Sequence, residues 1–141
     1  MSGSSGNTPA ACHVHHVHLF ASNVDESIAF YREVFCGEVA LDMELAGARN
    51  VFIAVGAGRI HLYDQPPKDS GRGGIHHFGI QTNDIEAVIQ RLTDRGVTLR
   101  KGVTDFGVWK YVMVPAPNDV LIELFEVDRN ALPEQLKHYF L

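Results

Sequence analysis

Long apolar stretches are missing from this chain of 141 residues. No run approaches the ~18–20 residues that a membrane-spanning helix needs, so an integral membrane protein is not expected. A basic segment followed by an apolar one is also missing near the start, and with it the mark of a secretory signal. Cysteine is scarce: Cys12 and Cys36 cannot build a disulfide framework, and a cytoplasmic protein is the expectation. Clustered positive charge is lacking too. Twelve basic residues against 17 acidic ones leave a formal charge of −5, which disfavours nucleic-acid binding through phosphate neutralisation. The 45% hydrophobic and 21% charged content is that of a globular protein, with length for one domain or two small modules sharing a core.

Histidine is what the chain has in excess. Of eight in all, His13, His15, His16 and His18 crowd one stretch and His76 and His77 another. Imidazole is a common metal ligand and a common general base, so function is to be sought there.

The Ser/Gly-rich start, residues 1–12, is expected to be flexible and is set aside from the fold. His13–Phe20 reads as a strand, and Ser22-Asn23 supplies capping chemistry. Apolar residues at Val24, Ile28, Tyr31 and Phe35 then predict a helix closed by Gly37. Strand-like runs follow at Val39–Leu45, Asn50–Val55 and Arg59–Tyr63, separated by glycines that suit hairpin turns. The Pro/Gly-rich stretch Gln65–Gly74 is a linker. Beyond it the first half repeats. HHVHLFASNVDESIAFY from His15 aligns with HHFGIQTNDIEAVIQRL from His76 at an offset of 61. With one residue inserted, RIHLYD (59–64) aligns with LIELFE (121–126). Each half thus reads strand, helix, strand, strand, strand.

Side chains two apart on a strand share a face. His16 and His18 therefore face one way on the first strand, with Val17 and Leu19 turned to the helix. His77, Gly79 and Gln81 are the equivalent set in the second half, and His15 and His76 point the opposite way. His61 and Tyr63 share a face, as do Glu123 and Phe125. Four repeat-related inward positions carry His16, His61, His77 and Glu123, and polar groups turned inward need a partner. One divalent ion is the economical partner. Three imidazoles and one carboxylate leave two positions of a six-coordinate ion open, which suits a ligand with two neighbouring oxygens.

The segments HHVHLFASNVDESIAFYREVF, GGIHHFGIQTNDIEAVIQRL and PAPNDVLIELFE resemble the vicinal oxygen chelate superfamily, also called the glyoxalase/bleomycin-resistance/extradiol-dioxygenase superfamily. GGIHH is also similar to methylmalonyl-CoA epimerase. Where His61 stands, that epimerase and glyoxalase I more often carry Glu or Gln. The resemblance implies an α+β fold of two tandem βαβββ modules, residues 13–64 and 74–127, whose curved mixed sheets enclose a metal cavity. A helical tail, 128–141, follows, with Leu132, Leu136, Tyr139 and Phe140 at helical spacing. It places metal ligands at His16, His61, His77 and Glu123, holding Zn, Ni, Mn, Co or Fe(II). Two catalytic candidates result: Glu123, and His18 as general base. Gln81 and Tyr63 are inward candidates for substrate contact. Trp109 and Tyr111 face either core or pocket, and Arg49 either binds a substrate carboxylate or lies exposed at a turn. The implied activity is a metal-dependent lyase or isomerase acting on a small oxygenated metabolite. Ring-cleaving Fe(II) dioxygenation and non-catalytic ligand sequestration are the alternatives. A homodimer is expected, because open sheets leave edges that need covering.

Overall fold

A computed structural model of the chain describes residues 13–45, 47–68 and 75–141. The segment 1–12 with Cys12, and the 69–74 part of the linker, lie outside the described residues. The first module runs β1 (Val17–Phe20), α1 (Val24–Phe35), β2 (Glu38–Leu45), β3 (Ala48–Val55) and β4 (Gly58–Tyr63). The second runs β5 (Phe78–Gln81), α2 (Ile85–Asp94), β6 (Thr104–Asp105), β7 (Trp109–Ala116) and β8 (Val120–Val127). Each module forms an open, curved, four-stranded sheet, ordered β1-β4-β3-β2 in the first and β5-β8-β7-β6 in the second. The first strand pairs in parallel with the last, and all other pairs are antiparallel. This is the expected α+β fold of two βαβββ modules.

The helix faces explain which side of each sheet is dry. Val24, Ile28, Tyr31, Val34 and Phe35 of α1 and Ile85, Val88 and Leu92 of α2 are buried. They pack on Val51, Ile53, Ile60 and Leu62 in one sheet and on Val112, Val114, Ile122 and Leu124 in the other, all one cluster. Alternation then turns the intervening residues to the opposite face of each sheet. Repeat-related residues start both helices. Asn23 accepts from Glu26 N at 3.1 Å, and Asp84 accepts from Ala87 N at 3.1 Å, each satisfying an otherwise unpaired first-turn donor. The modules are joined across the helices: Arg91 Nη1 donates to Val34 O at 3.1 Å, and Arg95 pairs with Glu33 while lying over the Phe30 ring.

Three sequence expectations change in detail. The left-handed residue ending α1 is Cys36 (φ 56), not Gly37. Gly37 is needed for space, because a Cβ there would stand 2.8 Å from Ile53 Cγ2 and 3.0 Å from Tyr31 O. The tail is not an extended helix. It forms one 3-10 turn, Glu134–Leu136, following Pro133, and buries Leu132. Finally, β1 is shorter than the expected His13–Phe20 strand, so His13, His15 and His16 precede it.

Candidate metal centre

In the first module the pairing of β1 with β4 sets His18 beside His61 and Phe20 beside Tyr63 on the face away from the helices. His16, just ahead of β1, lays its ring on that of His61, with centroids 3.7 Å apart and planes 14° off parallel. Phe52, the β3 register partner of His61, covers the other side of the ring at 3.8 Å. His61 is thus clamped between two rings and is 8% exposed. Burial, reinforced by His16, His18, His15 and Arg59, pushes its pKa down to about 4, so its ring is neutral at pH 7. Neutral imidazole is the form that ligates metals. The His18 ring centroid lies 5.8 Å from His61 and 5.8 Å from Tyr63. Burial and then His16 hold its pKa below the ordinary 6.5.

His15 differs from its sequence assignment. Its Nδ1 lies 3.0 Å from His16 Nδ1, and the ligating nitrogens of His15, His16 and His61 all fall within 4.8 Å of one another. Strand alternation does not govern it, since neither His15 nor His16 is inside β1. His76 behaves alike, with Nδ1 2.8 Å from His77 Nδ1 ahead of β5.

In the second module His77 Nε2 is 2.9 Å from Glu123 Oε2, both groups half-buried. Glu123 sits opposite Gly79 on one side and Met113 on the other. Gly79 stands at the repeat position of His18, so no side chain crowds Glu123 from β5. The four expected ligands therefore form two couples, His16 with His61 and His77 with Glu123. Among the described residues, His77 and Glu123 do not join the 4.8 Å group of the first module.

The substrate candidates separate likewise. Tyr111 pairs with Phe125 and shares the Glu123 face, while its neighbours Val112 and Val114 are buried on the core side. Trp109 lies at the end of the same row, and both rings gather around Phe106. Tyr63 accepts a hydrogen bond from Gln65 Nε2 at 3.1 Å. Gln81 is taken up by the tail, donating to Leu141 O at 2.8 Å and accepting from Leu141 N at 3.0 Å. A cavity of about 550 Å³ opens there, lined among others by Gln81, Glu126 and Arg129 but by none of the candidate ligands. Arg49 binds both oxygens of Asp42 at 2.9 Å and reaches Asp25 at 3.0 Å. Those carboxylates raise its pKa, and the hydrogen-bonded guanidinium in turn lowers that of Asp42. Its guanidinium ties the β2–β3 hairpin to α1.

The chain thus joins two βαβββ modules, the first carrying an imidazole couple and the second an imidazole–carboxylate couple. The model of the Glyoxalase/Bleomycin resistance protein/Dioxygenase superfamily matches residues 13–124, and the chain belongs to that superfamily. It is 28% identical over 128 residues to mitochondrial methylmalonyl-CoA epimerase of Dictyostelium discoideum, covering 80% of this chain and 77% of the relative. Among solved structures, it resembles a glyoxylase/bleomycin resistance protein/dioxygenase domain from Frankia sp. EAN1pec. That match has a TM-score of 0.72 and 14% identity and covers 92% and 99% of the two chains. The fosfomycin resistance protein FosX from Listeria monocytogenes, solved with Mn(II) and sulfate, matches with a TM-score of 0.68 and 15% identity, covering 84% and 95%. No described helix is long and apolar enough to cross a membrane.

Proposed function

We propose that this protein is a metal-dependent enzyme of the lyase or isomerase type, acting on a small oxygenated metabolite by proton transfer. The observation that carries this is the coupling of His16 with His61 and of His77 with Glu123 at repeat-related positions. Together the couples offer three imidazoles and one carboxylate, a donor set suited to Zn, Ni, Mn, Co or Fe(II). Because among the described residues the couples do not converge within one chain, we take the set to be completed where the first module of one copy meets the second module of another, in a homodimer. When bound, the ion supplies Lewis-acid polarisation of two neighbouring substrate oxygens. Scarce cysteine agrees with a reducing, cytoplasmic setting.

The chain's own groups supply binding and proton movement. His18 is held unprotonated at pH 7 by burial and by His16, so it accepts the proton from carbon next to the polarised carbonyl. Tyr63 already accepts from Gln65, which leaves its hydroxyl proton to donate to a substrate oxygen. Trp109 and Tyr111 line the Glu123 face with aromatic surface. Gln81 reaches substrate by releasing Leu141, whereas Arg49 stays with its two carboxylates. Glu123, bonded to His77, is the second candidate base.

The test joins metal analysis to deuterium exchange at the α-carbon of hydroxy-ketone and 2-oxo-aldehyde substrates. His77→Ala is expected to weaken metal binding by orders of magnitude, and His76→Ala to leave it nearly intact. His18→Gln is expected to keep the metal and lower exchange by ~10²-fold or more. Exchange at the parent rate in His18→Gln transfers the base to Glu123. Oxygen uptake with catechols moves the protein to ring cleavage, and ligand binding without metal moves it to sequestration.

A further inference from the structure

Adjacent histidines precede the first strand of both modules, and in both the Nδ1 atoms approach to 3.0 Å or less. Among the described residues, only in the first module does a third imidazole converge on the pair. Nitrogens ~2.1 Å from one ion and about a right angle apart lie about 3 Å from each other, the separation already found between His15 and His16. His61 comes from β4, 45 residues further along the chain, and its ring is fixed between His16 and Phe52. His15 and His16 are exposed. The group therefore has one anchored ligand and two that solvent reaches.

We propose that His15, His16 and His61 form a metal-capturing site within a single chain, in which His15 is a third ligand held until His77 and Glu123 complete the set. This rests on the reading that the His16–His61 couple binds a divalent ion; what is new is the role of His15. Three neutral imidazoles bring no negative charge, and the Arg59 guanidinium acts on both His15 and His61. The captured ion is accordingly held more weakly than one that also meets a carboxylate. That difference would favour the Glu123-containing set over the His15 set at equilibrium, which would give the hand-over its direction. In the second module His77 turns Nε2 to Glu123 and Nδ1 to His76, so its donors diverge, and among the described residues no equivalent capture site arises there.

The test titrates the chelator-stripped full-length protein with Ni(II) alone, by calorimetry and by equilibrium dialysis. The double variant His77→Ala/Glu123→Gln removes the second module's donors. It is expected to retain one Ni(II) per chain, bound at least ~10-fold more weakly than by the parent. Adding His15→Ala to that background is expected to weaken binding by a further ~10-fold or more. Adding His61→Phe, which keeps an aromatic ring against Phe52, is expected to do the same. The proposal is overturned if the parent binds Ni(II) and the double variant binds none. It is also overturned if His15→Ala in that background changes nothing, or if His61→Phe changes nothing and the ion is held by the local histidine run alone. All three leave the enzyme reading standing. A parent that binds no divalent ion sinks both.

Discussion

His61 carries an imidazole that the fold keeps neutral, and that has a cost below neutral pH. Its pKa falls from 6.5 in the unfolded chain to about 4 in the folded one. Its contribution to stability is therefore fully present above pH ~6.5 and is lost as pH falls through that value toward ~4. For chelator-treated protein we expect unfolding free energy to drop by up to about 3 kcal/mol between pH 7 and pH 4 on this account. Urea denaturation at several pH values measures it, and His61→Phe should flatten the slope. A slope unchanged by His61→Phe would assign the loss to other groups. The same residue shows what the sequence conveys at this scale. His61 and Glu123 were legible because each lies inside a strand, where alternation assigns the face. His15 was not, since it precedes β1 and alternation does not reach it. The commitment of Arg49 was hidden for another reason: Asp25 lies on α1 and Asp42 across a hairpin, and neither contact has a local signature.

Between α1 and β3 the chain has no room for one more carbon. A methyl at Gly37 would meet Ile53 Cγ2 and the fixed carbonyl of Tyr31, and a backbone atom cannot step aside as a side chain can. Gly37→Ala is expected to destabilise by about 1–3 kcal/mol, the range for overpacking a filled site. Cys36→Gly, one residue earlier, relaxes a left-handed non-glycine residue and should be neutral or stabilising by under about 1 kcal/mol. Melting temperatures of the two variants settle the order, and a harmless Gly37→Ala would show that β3 yields. Elements as such were largely readable in advance. The offset that aligns Asn23 with Asp84 recovers both helix starts and both leading strands, because caps and apolar spacing are local properties repeated twice. The tail failed the same approach. Its apolar spacing resembles a helix, but Pro133 interrupts it and Leu132 is the residue buried, so packing rather than periodicity decides its shape.

At the scale of the whole molecule, each half of the proposed donor set is incomplete without the other. The two sheets are open, leaving β1, β2, β5 and β6 as edges. Along β2 one face exposes Met43 and Leu45, and past the bulge Val39 is exposed on the other, apolar surface at an edge strand that a second copy can cover. If the site is assembled between copies, two defective chains can repair one another. His61→Phe disables the first module, and His77→Ala/Glu123→Gln disables the second. In a mixed dimer both defects fall in one site, while the other receives two intact modules. Random pairing of equal amounts makes about half the dimers mixed, so about a quarter of the tight sites return. Co-expression or unfolding and refolding of the two variants together, followed by Ni(II) titration, is expected to recover that fraction at parent affinity. Assembly within one chain predicts none, because every chain then carries a broken site of its own. Recovery that needs co-refolding, and does not follow simple mixing, would add that the dimer exchanges slowly.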